Sequence, residues 1–140
     1  RMMRPEGMKA TILVLDDEQT VRTSIRIALE KAGFRVQEAA GAEEALGKYH
    51  QAPADVAIVD IFLPGKSGLE VIQELRRDFP EVKIIAISGV DVRDGIALAT
   101  LIRAYGVDCA FEKPFQLRDL VDAVKQLVGG DHPTAETELP

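Results

Sequence analysis

The stretch TILVLDDE, Thr11 to Glu18, runs five apolar or β-branched residues directly into three acids. A strand with one wet face alternates apolar and polar side chains, whereas a strand covered on both faces is apolar throughout. TILVL is of the second kind, and so are VAIV (Val56 to Val59) and, apart from Lys83, VKIIAI (Val82 to Ile87). These three read as central parallel strands. Phe34 to Ala39 instead alternates Phe34, Val36 and Glu38 with Arg35 and Gln37, which suits a sheet edge. A fifth short run, Cys109 to Phe111, completes the set.

Helical periodicity fills the gaps. Val21, Ile25, Ala28, Leu29 and Ala32 recur at three- and four-residue spacing and form one stripe. Further helices are expected over Ala42 to His50, Gly68 to Phe79, Asp94 to Tyr105 and Gln116 to Val128, with Gly33, Pro80 and Gly106 as stops. Parallel neighbours need crossover connections, and strict βα alternation supplies them. The fold class is therefore α/β, a doubly wound parallel sheet with helices on both faces.

A chain of 140 residues with 46% hydrophobic content can bury one core unaided. Residues 1–8 read as a leader or appended segment, 9–128 as the domain, and 129–140, rich in Gly and Pro without apolar periodicity, as a flexible tail or the start of a linker. The net charge of −6 and a pI near 4.9 disfavour a binder of phosphate backbones, whose affinity comes from clustered Lys and Arg. Direct nucleic-acid contact by this chain is not expected. No apolar run is long enough to span a bilayer, and the single cysteine, Cys109, has no internal disulfide partner, so a cytoplasmic protein without membrane contact is expected. Cys109 itself reads as a buried small hydrophobe. His50 and His132 lack metal-ligand spacing and receive no role.

Open parallel sheets bind ligands beyond the carboxyl ends of their strands. Asp16 and Asp17 follow the first run, Asp60 the third, Ser88 the fourth and Lys113 the fifth. Each alone has a plain explanation: a helix cap for the paired acids, a turn for Asp60 and Ser88, a solvated side chain for Lys113. Their joint placement at successive strand ends points instead to one site. Three carboxylates on one rim repel each other unless a cation intervenes, and Mg²⁺, which prefers oxygen ligands and phosphate, is the natural one.

LVLDDE (Leu13 to Glu18), VDIFLPGKSGLE (Val59 to Glu70), ISG (Ile87 to Gly89) and EKPF (Glu112 to Phe115) together resemble the response-regulator receiver family, over roughly Thr11 to Val128. The resemblance implies a (βα)5, flavodoxin-like sheet of strand order 2-1-3-4-5. It implies that Asp60 takes a phosphoryl group and that Asp16, Asp17, Asp60 and the backbone carbonyl of Phe62 hold Mg²⁺. Ser88 and Lys113 would contact phosphoryl oxygens, and Lys113 to Pro114 would be a cis peptide. The implied partners are a sensor histidine kinase or histidine phosphotransfer protein as donor, an effector domain or protein outside this chain, and a second copy on phosphorylation. In this reading the chain is a switch rather than a true enzyme; a dehalogenase-type phosphatase would want a second Asp where Phe62 stands.

Three positions depart from the family's pattern. Ala110 stands where many receivers carry a Tyr or Phe that reports phosphorylation, and Phe111 beside it points to the opposite face of a regular strand. The interval from Ser88 to Lys113 is about three residues longer than is usual in the family, in a surface loop where added residues cost little, and includes DVRDG (Asp91 to Gly95). Phe62 and Val90 are apolar where polar side chains can orient attacking water, so slow self-dephosphorylation is expected. Ala110 also leaves open a receiver-fold interaction or dimerisation module that works without phosphorylation.

Overall fold

All five strands form. β1 (Thr11–Leu15), β2 (Arg35–Ala39), β3 (Val56–Asp60), β4 (Lys83–Ser88) and β5 (Cys109–Glu112) make one parallel sheet of order β2-β1-β3-β4-β5. The helices are α1 (Gln19–Lys31), α2 (Ala42–Gln51), α3 (Gly68–Asp78), α4 (Leu98–Tyr105) and α5 (Leu117–Val128). The computed structural model describes residues 9–89 and 98–130, so the leader, Val90, the loop from Asp91 to Gly95, the first residues expected of the fourth helix, and the tail from 131 on lie outside the described residues.

The period-2 alternation of β1 distributes its side chains to two cores. Ile12 and Val14 pack with Ile25 and Leu29 of α1 and with Leu120 and Val124 of α5. Leu13 and Leu15 pack on the other face, with Leu46 of α2 and Val71 and Leu75 of α3. Each such side chain is fully or almost fully buried, and burying one contributes about 1.5–3 kcal/mol, which is why the central strands are apolar on both faces. β2 is the half-exposed edge that its alternation predicts. β5 is the opposite edge, yet Cys109, Ala110 and Phe111 are buried between the two helical layers.

β3 and β4 each run one residue past their apolar runs. Asp60 pairs with Ile87, and Ser88 with Glu112, because ladder hydrogen bonds rather than hydrophobicity decide where a strand ends. Both polar residues are therefore held by the sheet itself. α3 begins just beyond: Ser67 caps it, its Oγ accepting the Leu69 N–H at 3.0 Å while its own N–H donates to Glu70 Oε2 at 3.1 Å.

Candidate functional site

Asp16 and Asp17 follow β1, Asp60 ends β3, Ser88 ends β4 and Lys113 follows β5, so the sheet brings all five residues to its carboxyl rim. Strand order reverses between β1 and β3, which opens the crevice there. Carboxylate oxygens of Asp16, Asp17 and Asp60 lie within 4.8 Å of one another. Asp17 and Asp60 border a cleft of about 390 Å³ that is also lined by Glu18, Phe62, Gly89 and Lys113. Asp16 and Asp60 are buried and Asp17 is exposed, so the cluster has a fixed floor and an open side.

The loop after β1 is fastened from several directions. The Asp16 N–H donates to the Ala39 carbonyl at 3.2 Å, and its Oδ1 accepts the Glu18 N–H at 2.8 Å. Arg22 Nη1 donates to the Asp16 carbonyl at 2.6 Å while Arg22 Nε pairs with Glu38 at 3.1 Å, tying the loop to α1 and β2. On β3, Asp60 Oδ1 accepts the Phe62 N–H at 2.9 Å. Phe62 leaves its side chain 44% exposed at the edge of the cleft.

Lys113 enters from β5. Its N–H donates to the Ser88 carbonyl at 2.8 Å, and the Lys113–Pro114 peptide is cis. Its ammonium lies 2.7 Å from Glu18 Oε1, 3.1 Å from Asp16 Oδ2 and 3.3 Å from Asp60 Oδ2. Burial opposes that charge, but the hydrogen bond to Glu18 and the charges of Asp60 and Asp16 outweigh it and raise the lysine pKa. It is an ammonium at every physiological pH. Burial pushes the Asp60 pKa up, and the neighbouring Asp16 adds to this; the Phe62 N–H and Lys113 pull it down without reversing the net rise.

One ammonium stands among four carboxylates, and the most deeply buried of these is Asp16. Its Oδ2 is buried and makes no hydrogen bond among the described residues, although Lys113 lies in ion-pair range. Three converging carboxylates with a buried oxygen so placed suit a hard divalent cation. Asp16, Asp17 and Asp60 are the residues that could hold it.

Glu18 and Arg22 also belong to the site's surroundings, and neither is marked by the local sequence pattern. Glu18 reaches Lys113 across 95 positions of chain, a contact that nothing in the local pattern announces. Ala110 and Phe111 divide as alternation requires: Ala110 belongs to the core beneath α2 and α3, and Phe111 to the one beneath α1 and α5, its ring 5.9 Å from that of Phe115. His50 is on the surface, its ring nitrogens at 2.8 Å from the Leu46 carbonyl and 3.3 Å from Asp78. No helix among the described residues is long and apolar enough to cross a membrane.

A doubly wound sheet of order 2-1-3-4-5 with a cluster of acids and a lysine at its switch point defines a receiver-type signalling domain. The chain belongs to the response regulator receiver domain family, which it matches over residues 12–125. It is 30% identical over 128 residues to the probable transcriptional regulatory protein TcrX of Mycobacterium tuberculosis, covering 91% of this chain and 53% of the relative. With the phosphate regulon transcriptional regulatory protein PhoB of Pseudomonas aeruginosa it shares 32% identity over 132 residues, 93% of this chain and 56% of the relative. The chain thus spans about half the length of these curated relatives. A CheY-like receiver domain protein from Methanospirillum hungatei superposes with a TM-score of 0.80 at 28% identity, covering 88% of this chain and 96% of that one.

Proposed function

We propose that this receiver domain accepts a phosphoryl group on the Asp60 carboxylate, from a phosphohistidine presented by a sensor histidine kinase or histidine phosphotransfer protein. The observation that carries the reading is the setting of Asp60: buried, within reach of two further carboxylates, and with Lys113 Nζ 3.3 Å from its Oδ2. Such a carboxylate is built for an incoming group that brings cations or oxygens needing them, not for solvent.

In the transfer, an Asp60 oxygen forms a bond to phosphorus as the bond from phosphorus to the histidine nitrogen breaks, and the imidazole leaves with the electron pair. The Phe62 N–H orients the carboxylate through Oδ1. Lys113 presents a point charge to an equatorial oxygen, and Ser88, at the end of β4, stands to donate its hydroxyl to another. Mg²⁺, held by Asp16, Asp17, Asp60 and the Phe62 carbonyl, would neutralise charge on the transferring group. The chain then works as a cytoplasmic switch whose output is exerted by an effector domain or partner protein, with a homodimer of the phosphorylated form as one route.

Intact mass after incubation with acetyl phosphate and Mg²⁺ tests this. One phosphoryl adduct is expected, requiring Mg²⁺ and absent from Asp60→Asn. A folded protein that takes no phosphoryl group from acetyl phosphate or from phosphohistidine donors overturns the reading. It would favour a module that docks without phosphorylation, for which the buried Ala110, offering no aromatic ring to rotate, is the supporting observation.

A further inference from the structure

The Lys113 ammonium has three N–H donors, and three carboxylate oxygens already surround it: Glu18 Oε1 at 2.7 Å, Asp16 Oδ2 at 3.1 Å and Asp60 Oδ2 at 3.3 Å. A phosphoryl oxygen that is to meet this nitrogen competes with these oxygens for it, above all with Glu18 and Asp60, to which the ammonium donates hydrogen bonds. Asp16 is poorly suited to yield, because it is fully buried and its Oδ1 is held by the Glu18 N–H at 2.8 Å. Glu18 is well suited. Its side chain is 56% exposed and approaches Lys113 from the rim, so on release its carboxylate passes directly into water and loses only the ion pair.

Resting on the assignment of Asp60 as acceptor, we propose that Glu18 is an intramolecular stand-in for the phosphoryl group. It occupies Lys113 Nζ in the unphosphorylated state and is displaced when a phosphoryl oxygen arrives. Glu18 is then a positioning residue, acting on the reaction through Lys113. Its contact biases the switch towards the resting state, and its loss makes the site bind phosphoryl groups more tightly.

The test compares the unchanged chain with Glu18→Gln and Glu18→Asp, using beryllofluoride as a phosphoryl mimic and calorimetry as the readout. Mg²⁺ is held at a concentration that saturates each protein, established beforehand by titration. Glu18→Gln removes the charge; Glu18→Asp keeps it but is one methylene too short to reach Lys113. Both variants are expected to bind beryllofluoride about two- to fivefold more tightly, the size an ion pair of this exposure carries. The acetyl phosphate concentration for half-maximal labelling falls correspondingly, with the maximal rate little changed. Equal affinities in all three proteins, or a tightening confined to Glu18→Gln, overturn the proposal, the latter because net charge alone would then explain it. An unchanged chain that forms no beryllofluoride complex overturns the assignment of Asp60, and this inference with it.

Discussion

Gly68 opens α3 directly against the backbone of Asp60. A Cβ at that position would stand 2.1 Å from the Asp60 carbonyl oxygen and 2.6 Å from Ile61 Cα, and neither backbone atom can swing aside. The Gly68 N–H also donates to the Ile61 carbonyl at 3.3 Å. The end of β3 and the start of α3 therefore set each other's position, and the backbone carbonyl of Asp60 lies against a residue with no side chain.

Gly68→Ala is accordingly expected to force β3 and α3 apart at the site. Overpacking of this kind costs about 1–3 kcal/mol, to be read as a lowered midpoint of urea unfolding. Phosphorylation by acetyl phosphate should slow in the folded fraction, because the acceptor oxygen is displaced relative to Lys113.

Asp60→Asn is expected to stabilise the protein in the absence of divalent cations. Burial, with Asp16 beside it, raises the Asp60 pKa in the folded state. A raised folded value means stability that is present below the ordinary carboxylate pKa and lost as pH rises through the folded one. The unchanged chain incurs that loss as pH rises, and the amide variant does not. Thermal melts at pH 7 in a chelator should show Tm higher by a few degrees in Asp60→Asn, and saturating Mg²⁺ should shrink or reverse the difference.

Self-dephosphorylation should be slow. Phe62 lies at the mouth of the cleft, 44% exposed, and its side chain has no group with which to orient water on the phosphoryl phosphorus. A phosphoryl lifetime beyond minutes without a phosphatase is expected. Phe62→Asn should shorten it by about tenfold or more, since a positioned polar group can contribute that much. A lifetime of minutes or less in the unchanged chain would count against slow self-dephosphorylation.

Cys109 should be inert in the native state. It is fully buried, and burial, with Asp108 adding, pushes its thiol pKa up to about 12. The thiolate is the reactive form, so iodoacetamide at pH 8 should leave the folded protein unmodified and alkylate it fully in urea. The raised folded value also makes the stability from the buried thiol complete below the unfolded pKa and lost as pH climbs towards about 12. Cys109→Ala should flatten that alkaline decline.

The chain's order of strands and helices was legible from local pattern, because burial on both faces leaves TILVL and VAIV without polar positions and burial on one face leaves the helices with a stripe. The places of Asp16, Asp17, Asp60, Ser88 and Lys113 followed from the same pattern, since each stands where an apolar run ends and parallel strands share one carboxyl rim. The opposite facing of Ala110 and Phe111 needed only the pleat. What the sequence could not show is how those ends are held. Arg76 bonds the Gly106 carbonyl and Asp108, 30 and 32 positions away, and Glu18 takes Lys113 across 95. The need for glycine at 68 arises from the Asp60 carbonyl oxygen, eight residues earlier in the chain but under van der Waals distance in space. Periodicity is a property of neighbours in sequence, and it decides which face of an element is buried. Ion pairs and close backbone approach depend on where separate elements come to rest against one another, and only the packed tertiary structure decides that.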